Sequence, residues 1–140
     1  MPDQTATARR LYEAFASRDL EGLRDALADD FVGQVSDGMP LALGGEHTGP
    51  EAMIRDVWRK VFESYEMHVD AERFYPSGDD HVVAVGHYRG TVRASGQPIE
   101  AAFAHILTIR DGRIAHLRQI TDTGSWATPP SRPQTEEGPR

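Results

Sequence analysis

A single histidine interrupts an apolar row. Between residues 99 and 109 alternate positions read Ile99, Ala101, Phe103, His105, Leu107 and Ile109, and alternation is the side-chain period of a β-strand. An unperturbed imidazole titrates near ~6.5, so His105 has the chemistry of a general acid or base. Two readings are open. His105 is either a buried histidine that hydrogen-bonds a neighbour, or a polar group facing an otherwise apolar cavity, as ligand sites use. Gln119 lies on the next strand, beyond Asp111-Gly112, a strong two-residue hairpin signal. A tight hairpin pairs Gln119 with Ala104 and Leu117 with Ile106. A bulge or a one-residue slip instead sets His105 and Gln119 side by side.

Other chemistries find little support. None of the 6 histidines has the spacing of a metal-binding helix, and cysteine is absent. No metal and no cofactor is expected. Glu46-His47 sits in a loop, as a solvated pair or a ligand contact. Ser36-Asp37-Gly38 is a turn and not a nucleophile elbow, and no Gly-x-Gly-x-x-Gly or Walker loop occurs. Net charge is −7, and Lys60, the sole lysine, stands beside Arg59 with no basic patch around it. Nucleic-acid binding is not expected, because phosphate neutralisation needs clustered cations. Apolar runs such as Val82–Val85 and Ala101–Ala104 fall far short of the ~20 residues that span a bilayer. The N-terminus has no apolar leader. A cytoplasmic protein that does not engage membranes is expected.

The elements that must position these residues divide the chain in two. Residues 6–17 read as a helix, with Ala8, Leu11, Tyr12 and Phe15 on one stripe. Asp19 is placed to cap a second helix carrying Leu20, Leu23 and Leu27 and ending near Asp29-Asp30. Phe31 to Val35 fits a short strand, and a Gly-rich loop follows to residue 48. A third helix starts at Pro50, capped by Thr48 or Gly49, with Glu51 in its first turn. Met53, Ile54, Val57, Trp58, Val61 and Phe62 give it a wide apolar face. Strands then follow from residue 65, over about 81–94, 99–109 and 113–122. Helices first and an antiparallel meander after predict an α+β fold. On the strand over 81–93, His87 shares a face with Val83 and Val85. Residues 127–140, with four prolines and no apolar period, read as a disordered tail behind a single domain over 1–126.

The run AFAHILTIRDGRIAHLRQITDT, the Gly49-Pro50 helix start and the leading LYEAFASRDLEGL resemble SnoaL-like domains of the nuclear transport factor 2-like superfamily. The resemblance covers about residues 6–126. It implies a cone-shaped α+β barrel, a curved antiparallel sheet wrapped around N-terminal helices, often a homodimer through the sheet. Members include polyketide cyclases, ketosteroid isomerases, limonene epoxide hydrolases, scytalone dehydratases and binding domains without activity. His105 matches the strand position of the isomerases' oxyanion-hole acid, where SnoaL-like cyclases often carry histidine. Tyr12 falls at or beside the isomerases' oxyanion tyrosine. The isomerase base would fall near Val35, so Asp37 is the nearby substitute. The cyclases' aspartate on the last strand is Gln119 here, and Asp122 stands three residues on.

The resemblance thus implies His105, Asp122, Asp37 and Tyr12 as catalytic candidates. His105 would be the group tuned near working pH, Asp37 or Asp122 a base raised by apolar walls, and Tyr12 a donor to an enolate. Trp58, Phe62, Phe103, Gln119, Phe15 and His87 are the expected ligand contacts. The expected function is a cofactor-independent cyclase or isomerase enolising a hydrophobic polycyclic substrate. The alternative is a ligand-binding or dimerisation domain without turnover. For the homodimer, the row Ile114, His116, Arg118 and Ile120 is the expected contact.

Overall fold

Helix α1 (Gln4–Ser17) turns Ala8, Leu11, Tyr12 and Phe15 inward, as their spacing requires. A computed structural model describes residues 4–126, from α1 to Trp126; the expected tail over 127–140 lies outside the described residues. Asp19 caps α2 (Leu20–Asp25), its carboxylate accepting from the Gly22 N–H at 2.9 Å. That helix stops four residues earlier than the leucine spacing predicts. Leu27 opens strand β1 (Leu27–Val35) and pairs in parallel with Ile114. The Ala26 carbonyl accepts from the Ile114 N–H at 2.8 Å. A distant strand therefore captures the leucine, and pairing overrides local helical spacing.

The Gly-rich stretch also holds more structure than a loop. A 3₁₀ turn (Pro40–Ala42) leads into β2 (Gly45–Thr48), antiparallel to β1. Gly49, at φ 93°, caps the next helix with Pro50 first in it. This helix is composite: α3 (Pro50–Met53), a π-helical segment (Ile54–Trp58) and α4 (Arg59–Ser64). Glu51 in its first turn pairs with Arg24 of α2.

The remaining strands are β3 (Tyr65–Ser77), β4 (His81–Val92), β5 (Pro98–Arg110) and β6 (Arg113–Thr121). One six-stranded sheet results, ordered β2-β1-β6-β5-β4-β3. All its pairs are antiparallel except β1 with β6. The meander β3–β6 is antiparallel, as the order of elements predicts, and β1 joins it in parallel on β6, so the whole sheet is mixed. Gly86 and Gly90 stand where β4 meets β3 most closely. A Cβ on either would lie 1.9 Å from a β3 carbonyl, that of Asp70 or Glu66. Only glycine permits that approach.

The strand faces decide what reaches the core. On β4, Val82, Ala84, Tyr88 and Val92 are buried, whereas Val83, Val85 and His87 are only partly covered. The inward face is therefore the one that carries Tyr88, not His87. In the β5–β6 hairpin Ile109 faces Ile114, but Thr108 already faces His116, so Ala115 is an extra residue. This bulge turns Ile114 inward, fully buried, and removes it from the expected outer row. Asp111 and Gly112 close the hairpin with φ of 54° and 76°. Among the described residues no helix is long and apolar enough to cross a membrane.

Candidate functional site

The shifted register makes His105 and Gln119 direct cross-strand partners. From Gln119 a chain of hydrogen bonds runs through the interior. The Gln119 Oε1 accepts from the Ser36 N–H at 3.1 Å, and its Nε2 donates to the Tyr88 hydroxyl at 2.9 Å. Tyr88 Oη lies 2.6 Å from His105 Nε2, and Tyr12 Oη lies 2.8 Å from His105 Nδ1. Ser36 clamps the first link again, its hydroxyl donating to the Gln119 carbonyl at 2.8 Å and accepting from the Thr121 N–H at 3.2 Å. Four elements contribute: α1 brings Tyr12, β4 Tyr88, β5 His105 and β6 Gln119.

Aromatic rings pack the chain in place. The Phe103 ring stacks on His105 with centroids 4.1 Å apart, and Tyr88 lies 4.7 Å from Phe103. Trp126, just past β6, packs edge-on against Tyr88 at 4.9 Å. Its indole N–H donates to the Thr121 hydroxyl at 3.2 Å. Burial moves every titratable group of the chain toward its neutral form. It lowers the His105 pKa to about 3. It raises Tyr88 strongly, against a smaller opposing pull from the Gln119 hydrogen bond. It also raises Tyr12, with the neighbouring Tyr88 adding to the effect. The imidazole is therefore neutral at physiological pH, with one N–H and one lone pair.

His105, Tyr88 and Gln119 open onto an apolar cavity of about 40 Å³. Phe15, Met39, Met53, Trp58, Phe62 and Trp126 supply much of its wall. The π-helical segment places Val57 and Trp58 there, and the turn before β2 places Met39. Among the described residues His105 and Tyr88 are the two ionisable side chains on the wall.

The residues expected from the sequence thus separate. His105, Gln119, Trp58, Phe62 and Phe15 line the cavity. Tyr12 and Phe103 stand behind His105 and support it. Three expectations need correction. Asp37 is exposed on the rim of an outer groove shared with Glu46 and Arg118, because the turn at Ser36-Gly38 carries it away from the cavity. Asp122 is exposed and accepts from the Ser125 hydroxyl at 2.6 Å, a local contact at the strand end. His87 lies on the outer face and bonds Glu72 at 3.0 Å, because strand alternation gives the inward place to Tyr88. Tyr88 and Trp126 also line the cavity and were not among the residues expected from the sequence. For Tyr88 a signal existed: Ala84, Gly86 and Gly90 share its parity, and small residues mark the concave side of a bent strand. Among the described residues no three His, Asp or Glu side chains gather as a metal site.

The SnoaL-like domain family matches residues 8–117. This chain belongs to the SnoaL-like family. No curated protein matches it in sequence. Among solved structures, a nuclear transport factor 2-like protein of unknown function from Burkholderia pseudomallei is 33% identical with a TM-score of 0.79. That match covers 89% of this chain and 94% of the other. IdmH from Streptomyces antibioticus, a proposed polyketide cyclase, is 27% identical at a TM-score of 0.76, covering 89% and 95%. TerC, co-crystallised with polyporic acid, is 27% identical at 0.76, covering 86% and 92%. The SnoaL-like fold thus accounts for the sheet, the helices and their order.

Proposed function

We propose that the cavity is the reaction site of a cofactor-independent cyclase or isomerase, which enolises a hydrophobic, polyketide-like carbonyl compound. One observation carries the reading: the polar groups of an otherwise apolar cavity, Tyr88, His105 and Gln119, belong to one hydrogen-bonded chain. A substrate carbonyl beside Tyr88 Oη would meet a positioned donor in a dry setting, where such a bond stabilises an enolate most. His105 Nε2, 2.6 Å behind that hydroxyl, fixes its direction. The likeness to IdmH supports the reaction class. The wall supports an apolar substrate. At about 40 Å³ the cavity is far below the roughly 300–1,000 Å³ of occupied ligand sites. Substrate entry therefore requires side chains such as Met39, Met53 and Phe62 to move aside, as flexible methionines can. The protein works as a homodimer through the outer face of its sheet, where Ile120 is exposed.

A second reading, ligand binding without turnover, is favoured by one observation: among the described residues no carboxylate lines the cavity. Deuterium exchange separates the two. The protein is incubated with 1-tetralone in D₂O, binding is followed through Trp58 and Trp126, and deuterium at the carbon beside the carbonyl is measured. An enolising site speeds that exchange over buffer and loses the effect in Tyr88→Phe. Binding without exchange selects the second reading, and absence of binding overturns both.

A further inference from the structure

Three groups in the chain can reverse the direction of their hydrogen bonds, and the fourth cannot. Gln119 has a fixed direction. Its Oε1 is held by the Ser36 N–H, so its Nε2 can only donate to Tyr88 Oη. Beyond it come the Tyr88 hydroxyl, the His105 imidazole and the Tyr12 hydroxyl, joined at 2.6 and 2.8 Å. A neutral imidazole carries one N–H, on either nitrogen. Two arrangements therefore satisfy the same contacts.

In the first, His105 Nε2–H donates to Tyr88 Oη and the Tyr12 hydroxyl donates to Nδ1. Tyr88 Oη then accepts from both His105 and Gln119, and its own hydrogen is left for the cavity. In the second, the Tyr88 hydroxyl donates to Nε2 and Nδ1–H donates to Tyr12 Oη. Tyr88 then keeps a lone pair for the cavity. His105 has one ring hydrogen and each tyrosine one hydroxyl hydrogen in both, so neither arrangement puts an ion among apolar walls. That matters here, because burial disfavours the imidazolium and both tyrosinates.

We infer that the His105 tautomer switches Tyr88 between donor and acceptor, so that the cavity binds an enolisable ligand both as its ketone and as its enol or phenol. Tyr88 donates to the carbonyl oxygen in the first arrangement and accepts from the enolic O–H in the second. This deepens the proposed function and rests on the reading of the cavity as a carbonyl site. A protein that handles both sides of an enolisation must satisfy both oxygens, and a donor of fixed polarity would serve one side only. Tyr12, which stands outside the cavity lining, is the positioning residue that makes the second arrangement possible, because its hydroxyl oxygen accepts from Nδ1–H.

The test uses 1-tetralone, a ketone, and 1-naphthol, an aromatic enol of nearly the same skeleton. Binding is followed by Trp58 and Trp126 fluorescence. The ring nitrogens of His105 are read by long-range ¹H–¹⁵N spectra, assigned with His105→Gln. The hydrogen is expected on Nε2 with 1-tetralone and on Nδ1 with 1-naphthol. The same protonated nitrogen in both complexes overturns the inference and leaves the carbonyl-site reading standing. Failure of both probes to bind overturns that reading and the inference with it. Tyr12→Phe removes the acceptor for Nδ1–H and pins the first arrangement. In that variant 1-naphthol affinity should fall about tenfold, with 1-tetralone affinity within about threefold. Equal losses for both probes would count against the switch.

Discussion

His105 and Gln119 face one another across β5 and β6 because Ala115 is an extra residue in β6. Without that bulge the hairpin would pair Gln119 with Ala104 and turn its amide to the outer face. The pairing gives Gln119 two buried duties, toward the Ser36 N–H and the Tyr88 hydroxyl. Gln119→Leu takes the side-chain acceptor from the Ser36 N–H and leaves the Tyr88 hydroxyl with His105 alone, and should cost about 1–3 kcal/mol in urea unfolding. Gln119→Glu places an acid opposite His105, and the added negative charge should raise the His105 pKa in an NMR titration. An unmoved His105 would mean that the glutamate side chain has left the cavity.

Acid stability should carry the signature of His105. In the folded protein burial holds its pKa at about 3, whereas the unfolded chain titrates near ~6.5. Between those values the unfolded state binds more protons. Stability from this group is therefore complete above about pH 6.5 and is lost as pH falls toward 3, by up to about 1.4 kcal/mol per unit. Unfolding free energies at pH 7, 6, 5 and 4.5 should fall accordingly. His105→Gln, which cannot titrate there, should show a shallower slope; identical slopes would contradict a neutral buried imidazole.

His105→Phe separates stability from function. It leaves the hydroxyls of Tyr12 and Tyr88 without their shared partner, at a cost of about 1–3 kcal/mol. Turnover should fall by about 10²–10⁴-fold if His105 moves protons. Thermal melting together with deuterium exchange on 1-tetralone measures both. A stability loss with undiminished exchange would confine His105 to a structural role.

Gly86→Ala should be severely destabilising, by more than about 3 kcal/mol, since the new Cβ would lie 1.9 Å from the Asp70 carbonyl oxygen. Ala84→Gly, on the same strand face, removes one buried methyl group and should cost less. Comparable melting temperatures for Gly86→Ala and the parent would show that β3 and β4 can part without penalty.

The expected homodimer is checked by light scattering, where the parent should give twice the 15.5 kDa mass. Among the described residues Ile120 and Tyr75, exposed at 46% and 50%, are the large apolar side chains left on the surface. Ile120→Asp should shift the mass to the monomer. A parent that already scatters as a monomer ends the proposal.

Much of this protein was legible from local pattern. Periodicity placed α1, the third helix and the long strands, because burial of one face imposes 3.6 or 2 on the sequence. Asp19, Pro50 and Asp111-Gly112 marked their element ends through cap and turn chemistry, which depends on near neighbours alone. His105 stood out as the polar interruption of an apolar row. The rest depended on distant partners. Leu27 fits a helix by spacing and joins a strand because Ile114 pairs with it. His87 and Tyr88 are adjacent in sequence, and only the sheet's curvature decides which faces the cavity. Asp37 and Asp122 carry suitable chemistry in suitable places along the chain, yet a turn and a strand end direct both to solvent. The chain alone determined which residues could do chemistry; tertiary pairing, through one bulge and the side of a bent sheet, decided which of them meet.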